Sequence, residues 1–280
     1  MADSVRAQRE ALGQRLREMR RAAGVTGREL ARRAGWHESK VSKIEYGRVN
    51  PSDADLREYC VHSNALDQLL DLIASRRNLD AAYMEWRRLL ATGTRARQHE
   101  SVKTEAAARR IRNWQPQVIP GLLQTADYAA AILRYGVEFY ELPDDVDAGV
   151  AKRMERQRIL YRAGRRFHFL IAEQALYTTV GSDSVMRGQL DRLFSIIGMP
   201  RVTIGLVPAI AVGRAAVENF AMFDDRVVKV EGTTAELTIT QPREIKLYGR
   251  AFDILADQSV TGDDARALIR RAATERMADQ

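Results

Sequence analysis

Residues 26–48 read TGRELARRAGWHESKVSKIEYGR. Thr26-x-x-Glu29 has the pattern of a capping box and is expected to open a helix with Leu30, Ala31 and Ala34 inward. Gly35 then supplies the left-handed conformation that a tight helix-to-helix turn requires. Trp36 precedes a further helix and is placed to staple onto Val41; Val41 and Ile44 form its buried face and Gly47 stops it. The stretch is therefore two short helices around a glycine turn, the second presenting polar side chains to solvent.

Outward from this pair the same logic continues. Leu12, Leu16 and Met19 fall at i, i+4 and i+7, one apolar stripe of a preceding helix that ends at Gly24. Asn50-Pro51-Ser52 with Asp55 caps a fourth helix, and Leu66, Leu69, Leu70 and Ile73 predict a fifth. The domain boundaries expected from the pattern are 1–77 for this helical part, 78–104 for a connecting helix and linker, and 105–280 for the remainder.

Five short helices with Arg20, Glu29-Leu30-Ala31, Gly35, Val41-Ser42-Lys43-Ile44-Glu45 and Gly47 in this register resemble the phage-repressor-like (XRE) helix-turn-helix family. The resemblance covers roughly residues 8–75. It implies that the third helix lies in the major groove of double-stranded DNA with His37, Glu38, Ser39 and Lys43 toward base edges and Lys40 close to them. Lys43 suits guanine N7 and O6, Glu38 suits cytosine N4, and Ser39 serves either. Thr26, Gly27 and Arg28 open the second helix, whose free N–H groups can meet a phosphate, and Arg48 is a second phosphate candidate. Arg20 and Glu45 are expected to form an internal structural ion pair, so their charges say little about DNA. His37 departs from the Ser or Thr cap usual in the family, and Gly27 lacks a side chain that often anchors the backbone.

The charge balance agrees with a polyanion partner for the N-terminal part alone. The chain carries a net +7, and counting along it gives about +8 for residues 1–115 and about −1 for the rest. One cysteine, Cys60, excludes an internal disulfide framework and fits a reducing cytosol. No apolar run approaches the ~18 residues of a membrane span, and the first ten residues lack a signal-peptide segment. A cytoplasmic, nucleoid-associated protein is expected.

Leu79, Tyr83, Trp86, Leu89 and Leu90 predict an amphipathic helix over 78–90, which either pairs with its twin across a dimer axis or packs on its own C-terminal domain; residues 91–98 read as a basic linker. Trp114-Gln-Pro116 and Ile119-Pro120-Gly121 are expected to be extended or turning, because proline disfavours helix at the residue before it. A helix follows Gly121, another spans Asp144 to Arg162, and a third spans Ser184 to Ile197. Phe167–Ala172, Val202–Val207, Phe220–Phe223, Val227–Glu231 and Glu236–Thr240 read as strands, the last three as a meander. Helices Ile245–Leu255 and Asp263–Met277 close the chain. The expected fold class is mainly α with α+β: a five-helix domain, then an α+β domain with a small, mostly antiparallel sheet.

Trp114 with IPGLLQTADYA, the later AEQAL (172–176), GQL (188–190) and VPAIAVG (207–213) resemble the domain of unknown function found behind XRE modules in actinobacterial, antitoxin-like regulators. That resemblance spans residues 100–275 and implies a small partner protein from a neighbouring gene. Serine-elbow, Walker and dinucleotide glycine motifs are absent, and His37, His62, His99 and His168 show no ligand spacing. Cys60 and His62 stand at i, i+2, which point apart on a helix. Glu173 and Glu218 read as isolated acids, and Gln124, Thr125 and Tyr128 either line a pocket beside Trp114 or are helix surface and core. No enzyme activity, cofactor or metal is expected. The sequence predicts a DNA-binding transcriptional regulator, a homodimer on a near-palindrome, or an antitoxin-like chain whose first task is to hold its partner.

Overall fold

Apolar stripes and caps set the helices of the N-terminal unit. A computed structural model describes residues 2–78, 83–85, 104–211, 218–233 and 235–278. The helices are α1 (Ala2–Ala22), α2 (Gly27–Ala34), α3 (Glu38–Glu45), α4 (Asp53–His62) and α5 (Leu69–Asn78), with a 3-10 turn at Leu66–Gln68. Thr26 Oγ1 accepts the N–H of Glu29 to begin α2, and Gly35 at φ 67° ends it. Ser52 and Asp55 complete a reciprocal capping box at α4. Leu16, Leu30, Ile44, Leu56, Tyr59 and Leu72 are fully buried together. Each such apolar side chain contributes about 1.5–3 kcal/mol relative to exposure.

The chain divides into two units, Met1–Tyr83 with Thr238–Ile245, and Met84–Leu237 with Lys246–Gln280. Within the first, Asp71 of α5 accepts the backbone N–H of Arg243 at 3.1 Å and its Nε at 3.0 Å. The segment 238–245 thus belongs with the five helices. Of the connecting helix expected over 78–90, residues 83–85 form a short strand, β1 (Tyr83–Glu85), and the rest, like the 91–98 linker, lies outside the described residues apart from Asn78 at the end of α5.

The second unit is built on β2 (Arg110–Gln115), β3 (Arg166–Ala172), β4 (Val202–Val207), β5 (Phe220–Phe223), β6 (Val227–Glu231) and β7 (Ala235–Ile239). They run in the order β7-β6-β5-β2-β3-β4, with β1 beside β7. β2, β3 and β4 are parallel, whereas β5 is antiparallel to both β2 and β6. The sheet is therefore mixed and six strands wide in this unit, which corrects the small, mostly antiparallel sheet expected from sequence. The cause is connectivity: parallel neighbours need a crossover of a dozen or more residues. Here α6 (Ala126–Tyr140) and α7 (Val146–Arg156) lie between β2 and β3, and α8 (Gln174–Tyr177) and α9 (Asp183–Ile196) between β3 and β4.

One face of the parallel half, with Ile111, Phe167, Phe169 and Ile204, packs under Tyr128, Leu190, Leu193 and Ile269. These come from α6, α9 and α11 (Gly262–Ala278). On the other face Phe252, from α10 (Pro242–Asp257), meets Phe220 with ring centroids 6.3 Å apart and His168 at 5.0 Å. Burial and the nearby Arg112 push the His168 imidazole below its ordinary range, so it sits neutral in this core. Among the described residues no helix is long and apolar enough to cross a membrane.

Candidate nucleic-acid interface

The 3.6-residue period of α3 sorts its side chains into two faces. Val41, Ile44 and Glu45 are buried, while Glu38, Ser39, Ser42 and Lys43 are exposed. The N-terminus of α3 is capped by an imidazole: His37 Nδ1 accepts the N–H of Ser39 at 3.3 Å and lies 2.9 Å from Ser39 Oγ. His37 thereby fixes Ser39, and the first turn needs no hydroxyl cap. Ser42 shares the exposed face with Ser39 and Lys43; in the sequence it stands out as part of the family motif and not as a base contact, although the i, i+3, i+4 spacing places it with them.

The remaining expected contacts fall into different surroundings. Arg28 Nε lies 2.9 Å from Glu38 Oε1, both side chains well exposed, so these two neutralise one another at the surface. Gly27 is half-buried beside the Arg20 guanidinium, and Thr26 is occupied as the cap of α2. Lys40 stands at the edge of the exposed face and is engaged there: its Nζ lies 2.6 Å from Asp55 Oδ1 and 4.2 Å from the Trp36 ring centroid. Burial opposes the Asp55 carboxylate, yet its bonds to Lys40 and Ser52 hold it below the ordinary range. Trp36 in turn stacks at a tilt on Tyr59, centroids 5.9 Å apart.

Arg20 and Glu45 meet as a buried fork, Nε–Oε1 2.6 Å and Nη2–Oε2 2.8 Å, and Arg20 Nη1 donates to Val25 O at 2.7 Å. Beyond α3, the N–H of Arg48 donates to Lys43 O at 2.8 Å, which keeps this exposed cation next to the helix end. Arg17, Arg21 and Tyr46 line a shallow groove with it, the Arg17 guanidinium 5.3 Å from the Tyr46 ring centroid. Sequence reading passed over Arg17 and Arg21. Their i, i+4 spacing on α1, opposite the apolar stripe, was the signal for a basic solvent face.

Helix α2 carries a pH-dependent device of its own. Hydrogen bonds from Arg32 and Arg33 hold the Glu29 carboxyl at about 2, against an ordinary 4.5. A folded-state pKa below the unfolded one means stability present above about 4.5 and lost as pH falls toward 2. Denaturation midpoints measured at pH 5 and pH 3 are expected to fall further in the native chain than in Glu29→Gln; equal drops would refute this role.

Other sequence candidates have structural duties. Burial pushes the Cys60 thiol up to about 11, leaving it inert, and His62 Nε2 pairs with Glu58 at 3.2 Å. Thr125 caps α6, and the Tyr128 hydroxyl accepts the N–H of Ile119 at 3.2 Å inside the core. Glu173 accepts the N–H of Ala209 and pairs with Arg271, and Glu218 accepts from the Tyr248 hydroxyl. Among the described residues no group of acids, histidines and cysteine is placed to hold a metal.

Residues 98–271 match the domain of unknown function DUF5753, and the chain belongs to that family. Residues 11–73 match a helix-turn-helix domain, which makes the N-terminal unit a DNA-binding one and the chain a helix-turn-helix DNA-binding regulator. Neither the curated proteins nor the solved structures contain a match.

Proposed function

We propose that this DUF5753-family chain is a cytoplasmic transcriptional regulator of the XRE kind, of actinobacterial type, acting as a homodimer on a near-palindromic operator. The observation that carries the reading is the solvent face of α3, where Ser39, Ser42 and Lys43 stand together while every apolar residue of the helix points inward. A helix with buried apolar positions, a fixed first turn and polar atoms outward is what a major-groove reader requires. Two copies related by a twofold axis would address half-sites about 34–36 Å apart. Nothing in this reading asks for chemistry on a substrate, and we treat the chain as a binding protein, not an enzyme.

Footprinting on DNA upstream of its own gene tests the reading directly; affinity no greater than for random DNA would overturn it. Lys43→Ala is expected to cost about 1–3 kcal/mol and to relax one base position. Arg48→Ala is expected to weaken all sequences alike and to lower the salt slope by about one phosphate's share. Arg28 is expected to matter less, because a phosphate must compete with Glu38 for its guanidinium.

A second reading makes a small protein partner primary, with DNA binding as autoregulation. It is supported by the stacked, exposed Tyr135 and Phe139 on α6, ring centroids 5.7 Å apart, since exposed aromatic pairs are enriched where proteins meet. Co-purification with the product of an adjacent small gene, lost on Phe139→Ser, is the expected result; a chain that purifies alone would exclude it.

A further inference from the structure

β2 is the strand between the antiparallel and parallel halves of the sheet, and buried strands of this kind normally read as apolar runs. Its sequence is RIRNWQ. The period of two puts Asn113 and Gln115 on the same face as Ile111, and beyond Ile111 that face opens into a cavity of about 490 Å³ within the second unit. Asn113 stands opposite Ala221 of β5, and Ala221 opposite Lys229 of β6. Lys229 is paired with Glu236 of β7 at 3.0 Å, so the floor crosses four strands and is polar on three of them, with Ala221 the small residue between.

The wall over this floor is also polar, and more deeply buried. Gln124, 3% exposed, is anchored by donating to Ile119 O at 2.8 Å, and its Oε1 receives Arg153 Nη1 at 2.6 Å. Arg156 lies beside Glu105, Nε–Oε2 3.3 Å. Arg153 and Glu105 are themselves 9% and 7% exposed. Guanidinium groups held in place by neighbouring side chains lose little freedom when they take a planar anion. On this wall two guanidiniums, Arg153 and Arg156, stand with one carboxylate, Glu105, whereas Lys229 is paired with Glu236 and Glu231 is exposed. Asn113 Oδ1 and Gln115 Oε1 are shielded from solvent and accept no hydrogen bond from the described residues, so their donors must come from whatever fills the space. Leu133, Ile132 and Phe223 supply an apolar side.

From this arrangement we infer that the second unit carries a binding site for a small amphiphilic monocarboxylate that also bears an N–H or O–H donor. The acid is held at Arg153 and Arg156, the donor at Asn113 and Gln115, and the apolar body against Leu133 and Phe223. The volume falls in the range of ligand pockets, as does the pattern of few, convergent polar groups on an apolar wall. The inference is independent of DNA binding, and a chain that failed to bind an operator would still bind the acid.

N-acetyl-L-phenylalanine is a suitable probe and its neutral carboxamide the control, titrated calorimetrically into the full chain. The acid is expected to bind saturably and at least about tenfold more tightly than the carboxamide, the scale of a charge-assisted bond. Ala221→Phe, which fills the floor, is expected to abolish binding, and Gln115→Leu, which keeps size but removes the acceptor, to weaken it severalfold. Absence of saturable binding at millimolar acid, equal binding of acid and carboxamide, or undiminished binding by these variants would each overturn the site. If Ala221→Phe fails to fold, the Gln115→Leu comparison decides alone.

Discussion

Arg20→Ala is expected to lower the stability of the first unit by about 3–5 kcal/mol, the cost of leaving one member of a buried ion pair behind. Both partners are 7% exposed, and the fork joins α1 to the last residue of α3. Without the guanidinium, the Glu45 carboxylate keeps, among the described residues, the Tyr59 hydroxyl at 3.5 Å and the half-exposed Arg17 at 3.9 Å. Val25 O loses its donor as well. Domains hold only about 5–15 kcal/mol in total, so a loss of this size removes much of the margin on which α3 stays in place. Urea denaturation followed by helix content measures it. Replacing both residues by leucine is expected to cost far less than either removal alone, because no uncompensated charge then remains buried. A single-variant cost below about 1 kcal/mol would show that the fork does not hold the reading helix.

The parts of this molecule that were legible in the sequence are those whose physics is local. Thr26 and Ser52 announce their helices because a cap is satisfied within three residues, and both do so in the structure. The strands at 202–207, 220–223 and 227–231 were bounded by turn residues and have those bounds. What escaped was set by distant partners. Lys40 reads as one more cation of a DNA-facing helix until α4 brings Asp55 to it from fifteen positions away. β2 escaped as a strand, with only its end at Trp114-Gln115 expected to be extended or turning, since Arg110, Arg112, Asn113 and Gln115 hide a strand that carries only two apolar residues. Arg110 and Arg112 are polar because they pair with Asp225, and Asn113 and Gln115 because they floor the cavity. Local rules fail most where the strand has a second task. The parallel pairing of β2 with β3 followed β2 out of view, although both strands of the β3–β4 pair and a helix between them were read from the sequence.

Gly13 is the position where the sign of a substitution separates local propensity from tertiary constraint. In the middle of an α-helix, glycine to alanine ordinarily stabilises by about 1 kcal/mol, through the unfolded chain's lost freedom. Gly136 in α6 is such a case: a Cβ there meets nothing within 4 Å, and Gly136→Ala is expected to gain about 0.5–1 kcal/mol. At Gly13 of α1 the same atom would lie 2.5 Å from Ile44 O and 2.6 Å from Glu45 O. These are backbone atoms at the end of α3, and they cannot swing aside as a side chain would. Relief requires α1 and α3 to separate, which strains the Arg20–Glu45 fork joining the same two helices. Gly13→Ala is therefore expected to destabilise despite its better propensity, and Gly13→Val by about 3 kcal/mol or more, the upper range of overpacking. The shift also moves Lys43, one residue before Ile44, so operator affinity is expected to fall in the fraction of Gly13→Ala that remains folded. Calorimetric melting of the three variants, with operator binding measured well below the transition, reads both effects. A stabilised Gly13→Ala would mean that α1 and α3 are not in backbone contact, and the placement of the reading helix would then need another cause.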